Sequence, residues 1–140
     1  MQVSIRPLDP SSDLELEQFL VLGTALEEHA YGASQALTRE QLRSQMADSS
    51  YWRVQRWIAL AETLEGGESL VGRASVFVPL RENLESISVG VEVHPAFRGR
   101  GIATRLVEEA LIPAIRDSGR TLVEAYGEIP ADGGAHGPHE

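Results

Sequence analysis

Val91-Glu92-Val93-His94-Pro95-Ala96-Phe97-Arg98-Gly99-Arg100-Gly101-Ile102-Ala103 is the stretch on which the fold of this chain turns. Leading into it, Ile87, Val89, Val91 and Val93 alternate with Ser86, Ser88, Gly90 and Glu92, a strict period of two with one apolar face and one polar or small face. After it, Ile102, Leu106, Val107, Ala110, Leu111, Ala114 and Ile115 repeat at helical spacing, and Gly119 is placed to end the helix. A strand therefore runs through Pro95 and a turn with two glycines directly into a helix. The first N–H groups of a helix have no partner inside it, and the helix dipole puts positive potential there. Glycines let the loop fold tightly and let a ligand approach the main chain closely. Such a junction binds phosphate without lysine, and Arg98 and Arg100 add charge-assisted contacts.

Outward from that stretch the period alternates between strand and helix. Val3 to Pro7 reads as a first strand, stopped at Leu8-Asp9-Pro10. Ser12-Asp13-Leu14-Glu15 predicts a capping box, followed by Leu16, Phe19, Leu20, Gly23, Leu26 and Ala30 at helical spacing. Thr38-Arg39-Glu40-Gln41 opens a second, shorter helix ending near Asp48, with so little apolar content that it is expected to lie on the surface. Trp57 to Ala61 reads as a buried strand, Glu65-Gly66-Gly67-Glu68 as hairpin chemistry, and Leu70 to Val78 as the return strand. Thr121 to Tyr126 is the last strand, and Pro113 is expected to remove one hydrogen bond from the helix before it and to bend it. The order predicts one mixed α/β domain (α+β by some schemes) over residues 1–126, with a Gly-, Pro- and His-rich tail over 127–140.

Composition narrows the chemistry. A chain of 140 residues with 42% apolar content has core enough for one domain, and it holds no apolar run long enough to span a bilayer. No secretory signal opens it, so a cytoplasmic location without membrane attachment is expected. Cysteine is absent, which excludes a thiolate nucleophile and cysteine-based zinc sites. The formal net charge is −9, and all twelve basic residues are arginine. That balance argues against nucleic acid, which needs a basic face, and favours a cationic partner such as an amine. His94 reads as polar surface, and His136 and His139 lack a third ligand nearby, so no metal is expected.

Two familiar phosphate loops do not fit. The dinucleotide fingerprint needs a third glycine where Thr104 stands, after the first strand of a parallel sheet, and a Walker loop needs lysine. Instead, Arg98-Gly99-Arg100-Gly101-Ile102-Ala103 resembles the acyl-CoA signature of the GNAT superfamily, Gln/Arg-x-x-Gly-x-Gly/Ala. Val91 to Pro95 matches the Val-x-Val-x-Pro that precedes it, and so does the element order from Gln2 to Tyr126. Pro79-Leu80-Arg81-Glu82-Asn83-Leu84 is similar to a bacterial subgroup, some of whose members carry two such domains in tandem.

The resemblance implies a three-layer acyl-CoA N-acyltransferase fold, a mixed central sheet flanked by helices, and acetyl-CoA as donor to an amine acceptor. It implies that the main chain of Val91 and Val93 holds the pantetheine arm. It implies further that the amides from Arg98 through Gly99, Arg100, Gly101, Ile102 and Ala103 wrap the pyrophosphate, with Thr104 adding a hydroxyl. The signature strand and the next are expected to splay apart, with Gly90 either forming the bulge that parts them or packing beneath a neighbour. Without cysteine, direct attack of an amine on the thioester is the simplest scheme. Glu92 is the first candidate base, or else a salt-bridged carboxylate at a strand end. Glu85 and Glu124 are alternatives, Ser88 lines the acceptor side, and Tyr126 either faces the cleft or merely ends its strand. Family members continue past the last strand through a helix and two strands. The C-terminal part of the fold is therefore expected to be missing here, leaving an open edge for a homodimer or a second GNAT domain. The rival reading is a non-catalytic CoA-binding or regulatory domain of a tandem protein.

Overall fold

A computed structural model of the chain describes residues 2–31, 38–46 and 50–127. Five strands form one sheet in the order β1-β2-β3-β4-β5, namely β1 (Val3–Pro7), β2 (Trp52–Glu62), β3 (Glu68–Pro79), β4 (Ser86–Val93) and β5 (Leu122–Gly127). The first four pair antiparallel and β5 lies parallel to β4, so the sheet is mixed, as the sequence predicts. Helices α1 (Asp13–Tyr31) and α2 (Arg39–Met46) cover one face. The other face carries a continuous helix built from α3 (Ile102–Leu106), a π-helical turn (Val107–Leu111) and α4 (Ile112–Ser118). No helix among the described residues is long and apolar enough to cross a membrane.

The alternation in β4 sorts these layers. Ile87, Val89, Val91 and Val93 are buried against Ile102, Leu106 and Leu111 of the long helix. The opposite faces of β2 and β3 bury Ile58, Leu60 and Leu70 against Leu16, Phe19 and Leu22 of α1. Parity is kept across β3 by a bulge: Ala59 pairs with Gly72 and Leu60 with Leu70, leaving Val71 as the extra residue. A methyl group on Gly72 would stand 3.2 Å from Leu106 and 3.3 Å from Ile102, so a glycine there lets the helix lie close to the sheet.

Helix starts follow the sequence with one variation. At α2 the box is reciprocal: the Gln41 N–H donates to Thr38 Oγ1 at 3.1 Å, and the Thr38 N–H to Gln41 Oε1 at 2.8 Å. At α1 the Glu15 N–H donates to Ser12 Oγ, but the Glu15 carboxylate turns instead to the Asp9 N–H and to Arg6. Although α2 is largely exposed, Leu42 is buried, anchoring it to the core under α1. Strand β2 begins at Trp52, well before the expected Trp57, because Trp52 to Arg56 pair with Ser75 to Pro79 of β3. The end expected for α2 at Asp48, the histidines 136 and 139, and most of the expected tail lie outside the described residues.

Candidate functional site: a glycine turn at the strand end and a polar sheet face

Strand β4 ends at Val93, and a short 3₁₀ turn (Pro95–Phe97) follows. His94 caps that turn, its Nδ1 accepting from the Ala96 N–H at 3.0 Å, while its ring meets Phe97 edge-on. Its job is local architecture. Gly99 and Gly101 then adopt left-handed φ values of 79° and 78°. A side chain at either would meet open space, so it is the backbone conformation that calls for glycine, not crowding. Gly101 is the N-cap of α3 and offers no side-chain acceptor. The helix's first main-chain bond runs from the Arg105 N–H to Gly101 O, which leaves the N–H groups of Ile102, Ala103 and Thr104 ahead of the helical ladder. Ile102, buried at 2% exposure, and Leu106 hold this helix start against β3 and β4.

The arginines frame this run of amides. Arg98 sends Nε to the Val93 carbonyl at 3.3 Å, and Arg100 lies over the Phe97 ring at 5.6 Å. Val91 and Val93 bury their side chains beneath the helix. Their main-chain groups are oriented by parity: the His94 N–H bonds to Val71 O of β3, so in antiparallel pairing Val91 and Val93 direct theirs to the other side, toward β5. Pairing with β5 runs in register as far as Val91↔Gly127, Gly127 being the last described residue. No splay opens before that point.

The bulge considered at Gly90 is absent. Gly90 pairs in register with Ser75 on one side and Tyr126 on the other, and its glycine has a packing cause. A Cβ there would lie 2.2 Å from Cε1 of Tyr126 and 2.5 Å from Cζ. The Tyr126 ring leans across Gly90 toward Ser75, the residue that pairs with Gly90 on β3. Tyr126 therefore does more than end its strand. Tyr126 keeps 41% exposure, and its partial desolvation pushes its pKa up against the opposing effects of Ser75 and Arg56.

This row continues into a polar face that the sequence reading had not assembled. Register places Arg56, Ser75, Gly90 and Tyr126 side by side across four strands, with Val54, Phe77, Ser88 and Glu124 in the next row and Ile58, Arg73 and Glu92 in the row on the other side. All point to the face that α1 covers in part. Glu92 is ion-paired: Arg73 Nε and Nη2 reach its Oε1 at 3.0 and 2.8 Å. Arg73 also lies over the Phe19 ring of α1 at 5.0 Å, where Gly23 leaves it room. Arg56 lies 5.5 Å over Phe77, and burial lowers its pKa, with Tyr126 opposing and Arg73 reinforcing the shift. Glu85 is exposed at the opposite end of β4, away from this cluster, and Glu124 sits two rows from Glu92. The signal for Arg73 and Ser75 was present in the sequence as a charged and a hydroxyl residue inside an otherwise apolar strand, while Arg56 closes a polar run.

A mixed sheet whose signature strand ends in an anion-receptive glycine turn at a helix start is the architecture of acyl-CoA-dependent acyltransferases. The sequence profile of the acetyltransferase (GNAT) family matches residues 23–130, and the chain belongs to that family. Among solved structures, it is similar to a tandem GNAT protein from the clavulanic acid biosynthesis pathway, with a TM-score of 0.65 and 23% identity over 89% of this chain. This chain spans only 36% of that protein's length. A GNAT-family acetyltransferase from Streptococcus pneumoniae gives a TM-score of 0.60 at 17% identity, covering 89% of this chain and 73% of that one. An aminoglycoside acetyltransferase from an uncultured soil metagenomic sample gives 0.57 at 22% identity, covering 90% and 80%. These are likenesses of fold. No curated protein matches the sequence.

Proposed function

We propose that this chain is an acetyl-CoA-dependent N-acetyltransferase acting on an amine by direct attack. The observation that carries the proposal is the helix start at Ile102, whose first amides lie ahead of the helical ladder, reached through two left-handed glycines and flanked by Arg98 and Arg100. Residues 1–126 form the donor-binding unit and 127–140 a linker. Acetyl-CoA, when bound, supplies a thioester whose acetyl carbon exchanges sulfur for the amine nitrogen. Gly99, Arg100, Gly101, Ile102 and Ala103 hold the pyrophosphate with their N–H groups, and Thr104 adds its hydroxyl. Arg98 releases the Val93 carbonyl to the pantetheine arm and turns to the phosphates, while Val91 and Val93 hold the arm as an added strand.

Glu92 takes the proton from the acceptor's ammonium. Both bonds from Arg73 go to Oε1, which fixes the carboxylate and leaves Oε2 without a partner among the described residues. The test is CoA release, followed with a thiol reagent across a panel of amines. Glu92→Gln is expected to lower kcat by roughly 10²- to 10⁴-fold with KM for acetyl-CoA unchanged. Unchanged turnover would remove Glu92 as the base.

A second reading is favoured by the likeness to the tandem protein, of which this chain covers 36%. There the chain is a CoA-binding or regulatory module packed against a second GNAT domain or a second copy. CoA binding with no release of CoA to any amine would select that reading.

A further inference from the structure

Two guanidinium groups stand on the open sheet face, and they are not equivalent. Arg73 is satisfied by Glu92. Arg56 is not: its Nη1 is buried with no hydrogen-bond partner among the described residues, and none of their carboxylates pairs with it. A guanidinium cannot shed its charge, and a buried charged donor left unpaired is costly. This one is held in place by the Phe77 ring and faces Ser75, its register partner, and Tyr126 beyond Gly90. Arg73 and Glu92 cancel in their ion pair, and Glu124, one row along on β5, lies three strands from Arg56, so the Arg56 guanidinium is the positive charge on this face without a carboxylate beside it. Strand β2 lies two spacings, roughly 10 Å, from β4. An arginine side chain shortens that gap to the span of a small molecule.

We infer that the acceptor is an amine that carries its own carboxylate, and that Arg56 binds this carboxylate with the hydroxyls of Ser75 and Tyr126 beside it. The inference rests on the acyltransferase reading above, since it places the acceptor on the face beside Glu92. A purely cationic amine would meet the uncompensated Arg56 charge there, whereas a carboxylate supplies the planar acceptor pair that a guanidinium edge binds best. The amine end then points back to β4 and Glu92.

The test uses the whole chain and needs no turnover. Its melting temperature is measured with glycine, β-alanine, leucine, glutamate and ornithine, each against its C-terminal amide, with and without CoA. At least one acid is expected to raise it and its amide to bind on the order of thirtyfold more weakly or worse. Arg56→Gln is expected to bring the acid's effect down to the amide's while the rise with CoA persists. Acids and amides acting alike, or no acid acting at all, overturns the carboxylate site even if CoA binds. A clear acid preference without any response to CoA leaves the site standing and overturns the donor reading instead. The comparison within the unaltered protein decides the matter even if the variant does not fold.

Discussion

Gly90 is the residue on which the polar face depends. With a Cβ 2.2 Å from Cε1 of Tyr126, Gly90→Ala must displace the ring from its place over the strand. A destabilisation of about 1–3 kcal/mol is expected, measured by denaturant unfolding. The same change in a Tyr126→Ala background is expected to cost far less, because the clash has gone. Equal costs in both backgrounds would mean that Gly90 is needed for some other reason. Tyr126 gives a second outcome at this scale. Its pKa is raised above 10.0 in the folded chain, so the folded state holds the proton more tightly than the unfolded one. The stability this contributes is present below the unfolded pKa and is lost as pH rises through the folded value. Tyr126→Phe is therefore expected to flatten the alkaline fall in stability, and an unaltered alkaline limb would contradict that. The sequence left both Gly90 and Glu92 with two readings. The partner that decides Gly90 is Tyr126 on β5, and the one that holds Glu92 is Arg73 on β3; pairing across strands is not written in the local pattern.

At the scale of the element, the long helix shows what a pattern can and cannot tell. Its apolar positions, its start after Gly101 and its end at Gly119 (φ 69°) were all readable. Pro113 was expected to cost a bond. The chain accommodates it with a π turn directly upstream, in which the Ile112 N–H reaches back to Val107 O. Widening the helix by one residue moves the preceding carbonyls away from the proline ring, and the same apolar residues stay on the buried face, so nothing in the spacing announces it. In a regular helix interior a proline costs about 3 kcal/mol. Here Pro113→Ala is expected to change stability by less than about 1 kcal/mol, because the missing N–H is set against a stiffer unfolded chain. A gain near the full helical penalty, measured by urea unfolding, would show that the π turn relieves nothing. The extra length of β2 was hidden for a related reason. Arg53, Gln55 and Arg56 make Trp52 to Arg56 look like a polar loop, and only pairing with β3 makes it strand.

Across the whole molecule, the proposed donor side is legible in the sequence and the proposed acceptor side is not. The proposed donor site is contiguous, one strand end and one helix start joined by a short turn, so the order of glycines and arginines can be read directly. The proposed acceptor face draws Arg56, Arg73, Ser75, Ser88, Glu92 and Tyr126 from four strands, and only the sheet brings them together. The net charge adds a constraint: a chain of −9 repels an anionic donor at long range, so under the proposal the glycine turn and its two arginines supply the attraction locally. Gly101→Glu sets a carboxylate at the start of the helix in a left-handed conformation, and it is expected to abolish donor binding while costing about 1 kcal/mol in the unliganded chain.

The most direct measurement is the melting temperature of this chain titrated with acetyl-CoA, CoA, ATP and NADH. A ligand that binds only the folded state raises it in proportion to saturation. A dose-dependent rise with acetyl-CoA and CoA, absent with ATP and NADH and lost in Gly101→Glu, is the expected result. A cooperatively melting chain that responds to none of the four, or to all of them equally, would contradict the assignment of the glycine turn as a coenzyme A site.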